Sequence, residues 1–179
     1  MQIIPIPYDH PDAVKLDAEV QQEYAERYAS EGDVTPLAPE MFEPPRGLYL
    51  LAYDDAERPV ATGGWRAMDR DGEGYADGDA EVKRMFVVRD ARGRGLARTI
   101  LARLEDSARA AGRVRMVLET GIKQPEAIAL YRSSGYEPCG KFGCYREEPD
   151  SRCFAKPLRP DGSLPAHSRV LSSTFSMRA

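Results

Sequence analysis

Residues 81–112, "EVKRMFVVRDARGRGLARTILARLEDSARAAG", constrain this chain more than any other stretch. A strand-type segment runs into a glycine–arginine turn, Arg92 to Ala97, and then directly into an apolar-periodic segment. In that last part Leu96, Ala97, Ile100, Leu101, Leu104 and Ala108 trace one helical stripe, with arginines and acids opposite. Gly112 ends the helix. Strands and helices alternate along the chain in the order β, α, several strands, α, β, α, β, so the expected class is a mixed α/β domain around one central sheet. Strict alternation in the strand would send Val82, Arg84, Phe86 and Val88 to one face. Glu81, Lys83, Met85 and Val87 would take the other.

The turn has its own chemistry. The first backbone N–H groups of a helix have no partner within it, and together with the helix dipole they make an anion site. Gly93 and Gly95 allow positive φ and close approach, and Arg92 and Arg94 add fixed donors. A P-loop is excluded because no Gly-Lys-Ser/Thr step follows. A dinucleotide fingerprint is excluded because Arg98 stands where a third small residue is required. A disordered arginine–glycine tether would not sit between a strand and a strongly periodic helix. A plain turn that uses glycine for geometry alone stays open on the pattern.

Elsewhere the chain reads as alternating elements. "QIIPIP" is an edge strand, since its prolines suit no central position. Residues 9–30 form an amphipathic helix with Leu16, Val20, Tyr24 and Tyr28 on one stripe, ended by the Gly32 region. The Pro-rich stretch "TPLAPEMFEPPRG" has room for one short helix. "GLYLLAYDDAERPVATGGWRA" is two strands and a polar turn, followed by an acidic, glycine-rich loop. After Gly112 come a strand, "RVRMVLET", a short helix with Pro125 at its start and Gly135 just past its end, and a last strand, "SRCFAKPL". The tail, residues 159–179, is Ser-rich and aperiodic, and is expected to be loosely ordered beside a domain of residues 1–158.

Composition narrows the partners. A formal net charge of −4 argues against nucleic acid as the main partner, which usually demands a basic footprint. No apolar run is long enough for a membrane span, and the N-terminus lacks a signal-peptide pattern. The three cysteines, Cys139, Cys144 and Cys153, and two distant histidines lack metal-site spacing. Free thiols, no metal and a cytoplasmic location are expected.

The turn, with its flanks, resembles the acyl-CoA-binding motif of the GCN5-related N-acetyltransferases (GNAT), Q/R-x-x-G-x-G/A. Arg92, Gly95 and Ala97 fill the signature positions. "EVKRMFVV" before it and "VLETGIKQPEAIALYRSSGYEP" after it resemble that family's neighbouring motifs, so the likeness spans Glu81 to Pro138. It implies a mostly antiparallel, twisted mixed sheet, splayed at the acyl-CoA site and flanked by helices. It also implies transfer of an acetyl group from acetyl-CoA to an amine by direct attack in a ternary complex.

By the same resemblance, Arg92, Gly93, Arg94, Gly95, Leu96 and Ala97 would hold the pyrophosphate, and the main chain of Met85, Phe86 and Val87 the pantetheine arm. Tyr131 aligns with the family's tyrosine near the thioester sulfur; a phenol can protonate a departing thiolate. Gln124 stands where many members have asparagine, and by the resemblance its longer amide would contact the pantetheine. An amine must lose a proton before it attacks, and Glu81 is the first candidate base, with Glu119 second. Tyr24, Arg27, Tyr28, Trp65 and "KFGCY" are the candidate substrate contacts; Arg27 would suit the carboxylate of an amino acid. The expected partner is a small-molecule amine, with a homodimer left open. The competing readings are a non-catalytic acyl-CoA-binding regulator, and an acetyltransferase for protein lysines or N-termini.

Overall fold

The computed structural model describes residues 1–29 and 32–159. Residues 160–179, nearly all of the Ser-rich tail, lie outside the described residues. The elements run β1 (Gln2–Pro5), α1 (Pro11–Tyr28), a 3-10 turn (Pro39–Phe42), β2 (Gly47–Tyr53), β3 (Pro59–Met68) and β4 (Asp79–Val87). A second 3-10 turn (Arg89–Ala91) leads to α2 (Leu96–Ala110), β5 (Arg115–Gly121), α3 (Pro125–Ser133), β6 (Glu137–Pro138) and β7 (Ser151–Pro157). The seven strands form one open sheet in the order β1-β2-β3-β4-β5-β7-β6. Every neighbouring pair is antiparallel except β4–β5.

Both faces of the sheet are covered, which is why β2 reads as an unbroken apolar run, "GLYLLAY". Leu50 and Ala52 join Ile100, Leu101 and Leu104 of α2 in the larger core. Leu51 turns the other way and packs with Leu16 and Val20 of α1. Of the expected stripe on α2, Leu96, Ile100, Leu101, Leu104 and Ala108 are all 5% exposed or less, while Ala97 is half-buried.

On β4 the alternation fails at its middle. Lys83 pairs with Gly64 but Phe86 pairs with Thr62, so Arg84 and Met85 together oppose the single residue Gly63. This is a β-bulge, and Arg84 takes the left-handed conformation, φ 55°, that the extra residue demands. Gly63 leaves room for it, since a Cβ there would lie 2.3 Å from Met85 Sδ. The bulge flips the pattern. Val82 packs on the α2 side, whereas Arg84 and Phe86 face α1. One inserted residue thus corrects the expectation that Val82, Arg84 and Phe86 share a face.

The second feature that builds the site is a splay. β4 and β5 pair only through Asp79–Arg115, Ala80–Met116 and Glu81–Val117. Beyond Val117, β5 continues against β7 alone, from Leu118 to Gly121. The second half of β4 therefore has main chain facing a gap in the sheet.

Candidate active site

The gap opens into two adjoining cavities. One, of about 430 Å³, runs from Met85, Phe86 and Val87 to the turn before α2. The other, of about 520 Å³, lies between β4, β5, the end of α1 and the start of β7. Tyr24, Met85, Gln124, Ala127 and Tyr131 line both, so the cavities meet there.

At the first cavity's outer end Gly93 and Gly95 have φ of 77° and 78°, and no atom lies within 4 Å of a Cβ built on either. Gly95 is the N-cap of α2 and offers no side chain to its free N–H groups; the first helical bond recorded is Thr99 N–H to Gly95 O, at 3.0 Å. Donors, an open concavity and the positive helix end coincide. Arg92 donates from Nε to Val87 O at 2.9 Å and pairs through Nη2 with Glu23 at 2.7 Å, which places its guanidinium along the groove wall. Arg94 lines neither cavity; it is exposed and donates to Asp90 O at 3.1 Å.

Tyr131 is buried where the cavities meet. Burial, helped by the charge of Glu119, raises its phenol well above the usual range, so the proton stays on Oη at neutral pH. Tyr24 is raised in the same way, mainly by burial. Glu119 lines the larger cavity, and burial lifts its carboxyl above the ordinary carboxylate range, against the lowering effects of Ser151 and Lys83. A buried carboxylate with a raised pKa is a better proton acceptor than a solvated one.

Three of the expected contacts fall elsewhere. Glu81 is 1% exposed and lines neither cavity. Its oxygens are taken by Arg66 Nε at 2.7 Å, Tyr75 Oη at 3.0 Å and Lys83 Nζ at 3.1 Å, so it ties the sheet to the β3–β4 loop. Trp65 is fully buried in the α2-side core, donating from Nε1 to Ser107 Oγ at 3.1 Å, and touches no cavity. Strand alternation carries it to the face opposite Arg66. Arg27 lines the smaller cavity, not the larger, and is held by Glu23 at 2.8 Å, Glu126 at 3.3 Å and Lys123 O at 3.0 Å. It forms a clasp between α1 and α3.

Tyr28 does line the larger cavity, as does Tyr145 from the "KFGCY" segment. The lining also includes a polar set that no sequence motif marks: Asp33, Lys83, Arg84, Glu148, Asp150 and Ser151. Its two cations are already engaged, Lys83 by Glu81 at 3.1 Å and Arg84 by Asp17 at 2.6 Å and by Asp33. The cavity therefore carries excess negative charge. These residues come from three separate segments, and no local spacing links them.

The model of the acetyltransferase (GNAT) family matches residues 15–136. The chain belongs to the GNAT acetyltransferase family. Within the family, the chain is 47% identical over 103 residues to an IAA acetyltransferase of Azospirillum brasilense. That stretch is 58% of this chain and spans 65% of the relative's length. A solved GNAT-type structure from Klebsiella pneumoniae subsp. pneumoniae, described as an acyl-CoA N-acyltransferase, is 28% identical. It superposes with a TM-score of 0.71 over 88% of this chain and 97% of its own. An aminoglycoside 6'-N-acetyltransferase solved with coenzyme A shares the fold at 16% identity, with a TM-score of 0.62 over 89% of this chain and 98% of its own. Among the described residues no helix is long and apolar enough to cross a membrane.

Proposed function

We propose that this GNAT protein transfers an acetyl group from acetyl-CoA to the amine of a small, cationic molecule. The observation that carries the reading is the continuity of the two cavities at Tyr131: an anion cradle at one end, an acid-lined chamber at the other. The residues fit an acyl-CoA. Gly93 to Ala97 would hold a pyrophosphate in a concavity that a Cβ would fill. The main chain of Met85 and Phe86, at the splay, offers strand-like bonding to an extended amide arm. Gln124, at the junction, donates from Nε2 to Tyr28 Oη at 3.5 Å and would present its amide to such an arm. When bound, acetyl-CoA supplies an acyl group activated as a thioester.

The chain's own groups do the proton work. Glu119 takes a proton from the acceptor ammonium, leaving a neutral amine to attack. Tyr131 keeps a proton on Oη at the junction, where the leaving sulfur must be protonated. Excess negative charge around Asp33, Glu148 and Asp150 favours cationic acceptors over amino acids, whose carboxylate would meet no free cation there.

The test is a thiol-release assay with acetyl-CoA over diamines, aminoglycosides, amino acid esters, free amino acids and lysine peptides. Amine-dependent release, largest for the cationic small molecules, supports the reading. Coenzyme A binding without release from any amine would leave the regulator reading, and preference for peptides would move the substrate to proteins.

A further inference from the structure

We propose that Ser151, at the head of β7, is a positioning residue that holds the Glu119 carboxylate toward the acceptor cavity. The inference rests on Glu119 being the base. Ser151 lines that cavity yet is 3% exposed, and its Oγ is buried with no hydrogen-bond partner of ordinary length among the described residues. Burying a hydroxyl without a partner is costly, so one at a reacting site calls for an account. Register supplies it. Gly121 pairs with Ser151 and Glu119 with Cys153, so Glu119 and Ser151 are diagonal neighbours on one face. The residue directly opposite Ser151 is a glycine, and the phenol of Tyr28 from α1 occupies the space that a side chain there would take.

Ser151 acts on two neighbours, Glu119 and the Cys153 thiol. It has one proton to give, and a carboxylate is much the stronger acceptor. The other groups around Glu119 do not compete for this role. Lys83 of β4 favours the carboxylate but is bound to Glu81, while Asp33 and Glu81 oppose it by like charge. Tyr24 of α1, Tyr131 of α3 and Tyr145 before β7 face it as phenols that burial keeps protonated. Donation from Ser151 Oγ–H to Glu119 makes and breaks no covalent bond. It fixes which way the carboxylate points and favours its ionised form.

The test is a pH titration of the Glu119 carboxyl by NMR in ¹³C-glutamate-labelled full-length protein, with Glu119→Gln assigning the signal. In Ser151→Ala the midpoint rises by about 0.5–1 pH unit, and Ser151→Thr, which keeps the hydroxyl, titrates as the parent does. An unchanged midpoint in Ser151→Ala, or one in Ser151→Thr displaced equally, overturns the proposal. In parallel, thiol release with acetyl-CoA and putrescine separates the two readings. If Glu119→Gln keeps full turnover, the base assignment fails, and the role of Ser151 with it. If Glu119→Gln loses turnover while the Ser151→Ala midpoint stays put, only the role of Ser151 fails. With both readings right, Ser151→Ala loses about three- to tenfold in rate on the acid limb and recovers at high pH.

Discussion

Replacing Gly95 by valine separates cofactor binding from folding, because the cost to each is readable from the turn. Gly95 sits at φ 78°, where a β-branched residue is strained by about 1–3 kcal/mol. Nothing lies within 4 Å of the new Cβ, so no packing penalty adds to the strain. Against a domain stability of about 5–15 kcal/mol the protein stays folded, with Tm lower by roughly 2–12 °C at 2–4 °C per kcal/mol. The same open space is where a pyrophosphate would lie, so the side chain should weaken coenzyme A binding by more than about thirtyfold, or 2 kcal/mol. Gly72 is the control: its φ is 87°, its Cβ is equally unobstructed, and it lies in the β3–β4 loop, away from both cavities. Gly72→Val should show a comparable drop in Tm with coenzyme A affinity unchanged. The assay is calorimetric titration with coenzyme A, paired with thermal melts. In the parent, ligand at a hundredfold excess over Kd adds about 2.7 kcal/mol, hence about 5–11 °C. Gly95→Val should lose most of that gain. Parent-like affinity in Gly95→Val, or equal losses in Gly95→Val and Gly72→Val, would refute the cradle.

Tyr131→Phe preserves the ring at the cavity junction, so coenzyme A affinity should change less than about threefold while turnover falls about 10²-fold or more, measured by thiol release. Trp65→Ala should cost about 3–5 kcal/mol in urea unfolding, since it empties a fully buried site, and shift no acceptor preference once the protein is folded. Asp33 tests the charge lattice at low pH. Burial alone would raise its carboxyl, but Lys83, Arg84 and hydrogen bonds from Thr35 overcome that and lower it to about 2. A depressed carboxyl contributes stability that is present above its unfolded value near 3.8 and is lost as pH falls toward 2. The difference in urea stability between the parent and Asp33→Asn should therefore shrink by roughly 2 kcal/mol between pH 6 and pH 2.5. Asp17, the other partner of Arg84, is raised by burial and acts in the opposite sense, which is why the difference is the quantity to measure.

The sequence by itself determined the parts whose physics is local. Period and punctuation place the stripe of α2, the glycines before it, and Pro125 with Gly135 around α3, because caps and positive φ are demanded within a few residues. The proposed anion cradle is one turn and one helix end, so its glycine geometry is readable in "RGRGLA". The place of Tyr131 on the helix after β5 is readable in the same way, from a motif that spans one strand and one helix.

Tertiary structure decided whatever depends on register and on distant segments. The bulge at Arg84 is an extra residue against Gly63, which β4 alone cannot reveal, and it redirects half the strand. Glu81 and Glu119 are both strand carboxylates; only the sheet puts one among Arg66, Lys83 and Tyr75 and the other in a cavity. Trp65 is a candidate substrate contact by sequence, but it lies in the core on the α2 side of the sheet. The larger cavity gathers Asp33, Lys83, Glu119 and Ser151 from across the chain, held together because β4 and β5 part company after Val117 and leave polar groups facing a gap. A gap between strands has no sequence pattern of its own; it exists only where two strands diverge.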